Sequence, residues 1–140
     1  MHLPDVNVWL ALAYAGHQHH PSATAWFAGI NGNDCAFCRL TQQAFLRLVT
    51  TPNLIGTNPV SLVDAWRMYD ALFADPRVVY SEEPEGLEPL WRGNTQSRSF
   101  SPKVWNDAYL AAFAEAAGFE LVTFDRGFGQ YKAVRCVILP

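Results

Sequence analysis

The sequence predicts a three-layer α/β/α domain built on a parallel sheet of four or five strands. Stretches of strand character alternate with stretches of helical character along the chain, and several strand candidates are uninterrupted apolar runs. A strand buried on both faces reads as a continuous apolar run, and intervening helices are the crossovers that parallel pairing requires. The 140 residues suit a single domain spanning 1–140. Half of them are hydrophobic and 14% aromatic, enough for a core without disulfides or metal. No repeat, low-complexity segment or interdomain linker divides the chain.

The elements follow in order. Leu3 to Asp5 ends a short strand, and "NVWLALAYA" is a helix with Asn7 at or near its N-cap. "GHQHHP" is a loop, and "PSATAWFAGI" a helix entered through Pro21 at its first position. "CAFC" is a compact buried strand. "LTQQAFLRLVT" is a helix capped by Thr41 and followed by Pro52, and "NLIGTNP" is a loop with two turn signals. Ser61 caps the helix "LVDAWRMYDALFA", and "RVVYS" is a strand. The acidic "EEPEGLEP" and the polar, basic "WRGNTQSRSFSPK" read as irregular and mobile. Ser101 and Pro102 form the N-cap and first position of a helix that Gly118 ends. "ELVTFD" is a strand, "RGFGQY" a turn or short helix, and "AVRCVIL" the last strand.

Composition excludes several classes. No apolar run reaches the roughly 18 residues that span a bilayer, and Met1-His2-Leu3-Pro4-Asp5 has no basic n-region. Neither a membrane partner nor a signal peptide is expected. An odd number of cysteines, three, points to a reducing, cytoplasmic setting rather than a disulfide framework. The net charge of −3 supplies no global field for nucleic acid, so any such binding needs a local patch. The cations are eight arginines against two lysines, a bias toward the planar fork that suits phosphate.

One carboxylate stands out. "VWNDAYLAAFAEAAG" is apolar on nearly all sides, so the helix is buried, yet Asp107 stands within it. A buried carboxylate costs on the order of several kcal/mol unless something compensates it. Asp5 directly follows the first strand and Asp125 directly follows "LVTF". Ligand sites in open parallel sheets form at the carboxyl ends of strands, near the topological switch point. If the first and fourth strands are neighbours, Asp5 and Asp125 converge there, with Asp107 one to two turns into its helix and in reach of the rim. Taken singly, each acid has a plainer reading: Asp5 as a helix cap, Asp125 as a turn residue, Asp107 as the partner of Lys103. Taken together, they point to a divalent cation held by Asp5, Asp107 and Asp125. Carboxylates without histidine or thiolate favour a hard ion, Mg²⁺ with Mn²⁺ as the alternative, and such an ion suits phosphodiester hydrolysis.

"LPDVNVWLALA", "RLTQQAFLRLVTTP", "VWNDAYLAAFAEAAG" and "ELVTFDRGFGQY", in this order across nearly the whole chain, resemble PIN-domain proteins, specifically VapC-type toxins of toxin–antitoxin pairs. The resemblance implies a Mg²⁺-dependent endoribonuclease acting on structured RNA such as transfer or ribosomal RNA. It also implies a homodimer and a VapB-type antitoxin whose tail covers the site. Asp5, Asp107 and Asp125 match the family's acids, and Asn7 matches the small polar residue that supports the first of them. Where many members carry a glutamate, in the helix after the second strand, this chain has Gln42. The amide brings no charge, so the resemblance here implies weaker Mg²⁺ binding, or one metal rather than two. The alternative is a catalytically impaired PIN-like module that binds RNA or a partner, and Gln42 is its support.

Other signals are less specific. Arg98, with Arg92, Lys103 and Phe100, makes an RNA-facing loop or merely balances Glu82, Glu83, Glu85 and Glu88. Arg126, beside Asp125, is the better candidate for substrate phosphate. Arg47 within "FLRL" is read as a helix-surface residue, as suited to an antitoxin or structural role as to catalysis. His17, His19 and His20 with Cys35 and Cys38 loosely resemble a zinc set, but the cysteines fit a strand as small hydrophobes. The five tryptophans, Trp9, Trp26, Trp66, Trp91 and Trp105, are assigned to core and dimer packing. A phosphoacceptor receiver domain would need paired acids after the first strand and a lysine near the last, and a haloacid-dehalogenase-type phosphatase would need Asp where Asn7 stands; neither fits.

Overall fold

In the computed structural model, which describes residues 1–53, 58–98 and 100–140, five short strands form one sheet. They are β1 (His2–Pro4), β2 (Cys35–Phe37), β3 (Val78–Tyr80), β4 (Glu120–Thr123) and β5 (Cys136–Ile138), in the order β3-β2-β1-β4-β5. Every pairing is parallel. His2, Leu3 and Pro4 of β1 lie opposite Glu120, Leu121 and Val122 of β4, and His2 opposite Cys35 on the other side. The order reverses direction between β1 and β4. That junction is the switch point.

Side chains alternate across each strand and build a core on either face. Leu3, Ala36 and Leu121 point to the side covered by α5 (Leu87–Asn94) and α6 (Val104–Ala117). Cys35, Phe37 and Val78 point to the side of α1 (Val6–Ala13), α3 (Arg39–Val49) and α4 (Leu62–Phe73), with α2 (His20–Ala28) packed on α1. Trp9 stacks on Phe37 with ring centroids 3.8 Å apart, anchoring α1 to the middle of the sheet. Among the described residues no helix is long and apolar enough to cross a membrane.

Several sequence expectations are corrected. The stretch expected to be irregular contains α5, an eight-residue helix. Pro89 sits in its first turn, where the missing N–H has no intrahelical acceptor to lose. Leu87, Leu90, Trp91 and Asn94 recur at helical spacing toward α6, and Trp91 Nε1 donates to the Trp105 carbonyl at 3.1 Å. Thr41 is not the cap of α3. The helix starts at Arg39 with Cys38 as N-cap, and the Thr41 hydroxyl accepts from Cys38 N at 3.1 Å. Ser101 and Pro102 do not start α6 either. They belong to a turn in which Val104 N donates to the Ser101 carbonyl, and helical geometry begins at Val104. Asp107 therefore lies in the first turn of α6. In α1 the cap is Asp5, not Asn7. Most of the "NLIGTNP" loop falls outside the described residues.

Candidate active site

Three elements end or begin at the switch point, and each brings one acid. Asp5 follows β1 and caps α1: its Oδ1 accepts from Val6 N at 2.6 Å, and its own N donates to the Val122 carbonyl of β4 at 2.8 Å. Asp125 follows β4 and caps the short 3-10 turn Arg126–Gln130, its Oδ1 accepting from Gly127 N at 2.7 Å. Asp107 enters from the first turn of α6. The positive ends of α1 and α6 face these carboxylates, the favourable placement for anionic groups. All three line one cleft of about 150 Å³.

Thr123, fully buried at the end of β4, ties two of the acids together. Its hydroxyl donates to Asp5 Oδ2 at 3.2 Å and accepts from Asp125 N at 3.0 Å. Asn7 Nδ2 reaches the same Asp5 oxygen at 3.4 Å. A Cβ at Gly127 would stand 3.0 Å from Asp125 Oδ1, so the carboxylate would have to give by a few tenths of an ångström.

The electrostatics follow from crowding. Burial pushes the Asp5 carboxyl up to about 6, partly offset by the Val6 and Thr123 hydrogen bonds and reinforced by Asp107 and Asp125. Asp107 is also raised, by burial first and then by Asp125, with the charge of Lys103 pulling it down. Lys103 forms no ion pair with Asp107 among the described residues, so the surface-pair reading of this acid gives way to the cleft.

The remaining candidates divide. From α3 the cleft is lined by Leu40, Thr41, Ala44, Arg47 and Leu48, one face at helical spacing. Gln42 is not on it. One residue along a helix turns the side chain by about 100°, which puts Gln42 on the buried face of Phe45 and Val49. There its amide oxygen accepts from Arg39 and its amide meets the Tyr69 hydroxyl. The resemblance sets Gln42 at the site in place of a glutamate, and that placement is corrected: its side chain belongs to the core face of α3. Arg126 and Arg98 are exposed and outside the cleft lining, whereas Arg47, read as a surface residue, lines it. Asn106 lines it as well. Thr123 and Asn106 are the residues that sequence reasoning missed, and Arg47 is one it left open between antitoxin, structural and catalytic roles. For Arg47 the advance signal was the α3 spacing 40-41-44-47-48, a stripe that mixes Thr and Arg with apolar residues.

The zinc set does not assemble. Cys35 and Cys38 are buried in cores on opposite faces of the sheet, and burial pushes both thiols up. The histidines lie in the α1–α2 segment, where His19 stacks on Phe124 and His20 Nδ1 bonds the Ala11 carbonyl.

The PIN-domain family model matches residues 3–134. The chain is 46% identical over 144 aligned positions to Ribonuclease VapC41 of Mycobacterium tuberculosis strain H37Rv, covering 99% of both. Among solved structures, VapBC2 from Rickettsia felis bound to a promoter DNA fragment superposes with TM-score 0.73 at 12% identity, covering 99% and 98% of the two chains. M. tuberculosis VapC20, a sarcin–ricin loop cleaving toxin, gives 0.69 at 19% identity over the full length of both. The two structures share the fold at low identity. The sheet order, the acids at its switch point and the family match together define this chain as a member of the PIN-domain family. Within it, the full-length match to a VapC ribonuclease places the chain among the VapC-type toxins.

Proposed function

We propose that the cleft is a Mg²⁺-dependent endoribonuclease site and that the chain is the toxin of a VapBC-type pair, cutting structured RNA and restrained by a VapB-type antitoxin. The observation that carries this is the convergence of Asp5, Asp107 and Asp125, from three separate elements, in one cleft at the sheet's carboxyl edge. Among the described residues no three His, Cys, Asp or Glu side chains stand so placed that together they could hold an ion. Mg²⁺ would therefore enter on one or two of these carboxylates, with waters and phosphate oxygens completing its shell. The donor set is all oxygen, and α3 adds no acid, which favours one ion over two.

Asp5 and Asp125 would hold the ion and Asp107 would hold it or orient its water. Bound there, Mg²⁺ supplies a Lewis acid and a more acidic water for attack on the scissile phosphate. Thr123 holds Asp5 and the Asp125 backbone in register, and Asn7 steadies the same Asp5 oxygen. In-line hydrolysis leaves 5′-phosphate and 3′-hydroxyl ends. The name of VapC20 supports structured RNA as the substrate class, and the solution of VapBC2 as a pair supports an antitoxin partner.

The test is incubation of purified protein with total RNA and Mg²⁺, with an EDTA control and the variants Asp5→Asn and Asp107→Asn. Cleavage is expected only for the unmodified chain with metal. Cleavage that persists in EDTA or survives both substitutions would overturn the site assignment. RNA bound but never cut would instead support the impaired-module alternative.

A further inference from the structure

We infer that Arg47 is a substrate-positioning residue, whose guanidinium grips a phosphate of the RNA backbone as it enters the carboxylate cleft. This rests on the nuclease reading of that cleft and adds to it a residue outside the acid set. Three carboxylates around one small space repel a polyanion, so a cation on another wall is needed to draw the strand in. Arg47 is the cationic residue among those that line the cleft. It comes from α3, across from the acids of β1, α6 and β4.

The side chain is exposed, and among the described residues it joins no ion pair. It thus lines the acid cleft without being consumed by Asp5, Asp107 or Asp125. The other arginine candidates fail one of these conditions. Arg126 and Arg98 do not line the cleft, Arg77 is bound to Asp75, and Arg92 is bound to Glu88. Arg47 also borders the adjoining groove of Leu46, Thr50, Leu62, Ala65 and Trp66, so it stands between the acid cleft and a largely apolar groove. A planar fork with parallel N–H donors matches two phosphate oxygens, and lysine reproduces the charge without the fork.

The experiment measures binding of end-labelled bulk transfer RNA in EDTA, where no cleavage occurs, alongside cleavage of the same RNA in Mg²⁺. Arg47→Gln is expected to weaken binding about tenfold, to raise KM more than it lowers kcat, and to reduce the salt slope of log Kd by about 0.7–0.9, one phosphate contact. Arg47→Lys should recover part of the affinity, and the melting temperature should not move. Binding and KM unchanged in Arg47→Gln would overturn the inference. Because binding is read without metal, failure of the unmodified chain to cut RNA sinks the nuclease reading alone, while a flat Arg47→Gln binding curve sinks this one alone.

Discussion

Asp5 serves two roles whose electrostatic demands oppose each other. As the N-cap of α1 it is favoured as an anion, yet burial and two acidic neighbours raise its carboxyl to about 6, against an ordinary 3.8. The folded chain therefore holds this proton more tightly than the unfolded chain. The contribution of Asp5 to stability falls as pH rises from about 4 to about 6, and the cost persists at neutral pH. Asp5→Asn keeps an oxygen for the cap and removes the charge. Its melting temperature is expected to equal or exceed that of the unmodified chain at pH 7 and to lose the advantage by pH 4. A difference that is the same at both pH values would show that crowding is not the cause. Mg²⁺ affinity, read by the metal-induced rise in melting temperature, should weaken as pH drops through about 6, because the ion must displace the Asp5 proton. Thr123 makes a second prediction. Thr123→Val leaves the Asp125 N–H without its partner at a cost of about 1–3 kcal/mol and frees the Asp5 carboxylate, so both melting temperature and cleavage drop; Thr123→Ser retains them.

At the level of elements, rotation about a helix axis decides which α3 residues reach the cleft. Thr41 and Arg47 share its cleft face, while Gln42, adjacent in sequence to Thr41, belongs to the core face. Matching the chain to a family motif located the helix, but aligned letters do not specify helical phase to within one residue. The short 3-10 turn after Asp125 is similarly exacting. In Gly127→Ala the new methyl crowds Asp125 Oδ1 and shifts the carboxylate by a few tenths of an ångström, so cleavage is expected to fall by up to about tenfold while the fold melts within a few degrees of the unmodified chain. Gly118 tests the opposite pattern. It ends α6 at φ 68°, a left-handed position far from the cleft, so Gly118→Ala should cost about 1 kcal/mol by thermal melting and leave cleavage intact.

Across the whole molecule, the reversal of strand order between β1 and β4 is what turns distant residues into neighbours. Residues 5 and 125 meet because those strands pair, and α6 delivers residue 107 because it is the crossover into β4. Metal binding should register as global stability. At Mg²⁺ roughly 100-fold above its Kd the folded state gains about 2.7 kcal/mol, a rise of several degrees in melting temperature that Asp5→Asn should abolish. No shift in the unmodified chain would remove Mg²⁺ from the account. The homodimer that the family resemblance implies would cover apolar surface such as the exposed Leu62, Val63, Trp66 and Phe73 of α4. Sedimentation velocity should give twice the chain mass of 15.6 kDa, and a monomer at micromolar concentration would exclude the dimer.

Periodicity, turn chemistry and apolar runs determined the fold class, the strands and most helices, because hydrophobic burial repeats locally at a period the chain itself displays. They also exposed one acid, Asp107, too costly to bury without compensation, and two more, Asp5 and Asp125, at strand ends. They hid α5, since Pro89 and a polar outer face obscured a helix whose apolar side is satisfied only against α6. Only the tertiary structure decided that Thr123 bridges the Asp5 carboxylate and the Asp125 N–H, that Arg47 rather than Arg126 or Arg98 lines the cleft, and that Gln42 turns away. Those are questions of distance and direction between elements, which depend on how helices rotate and settle on the sheet, and no local pattern encodes them.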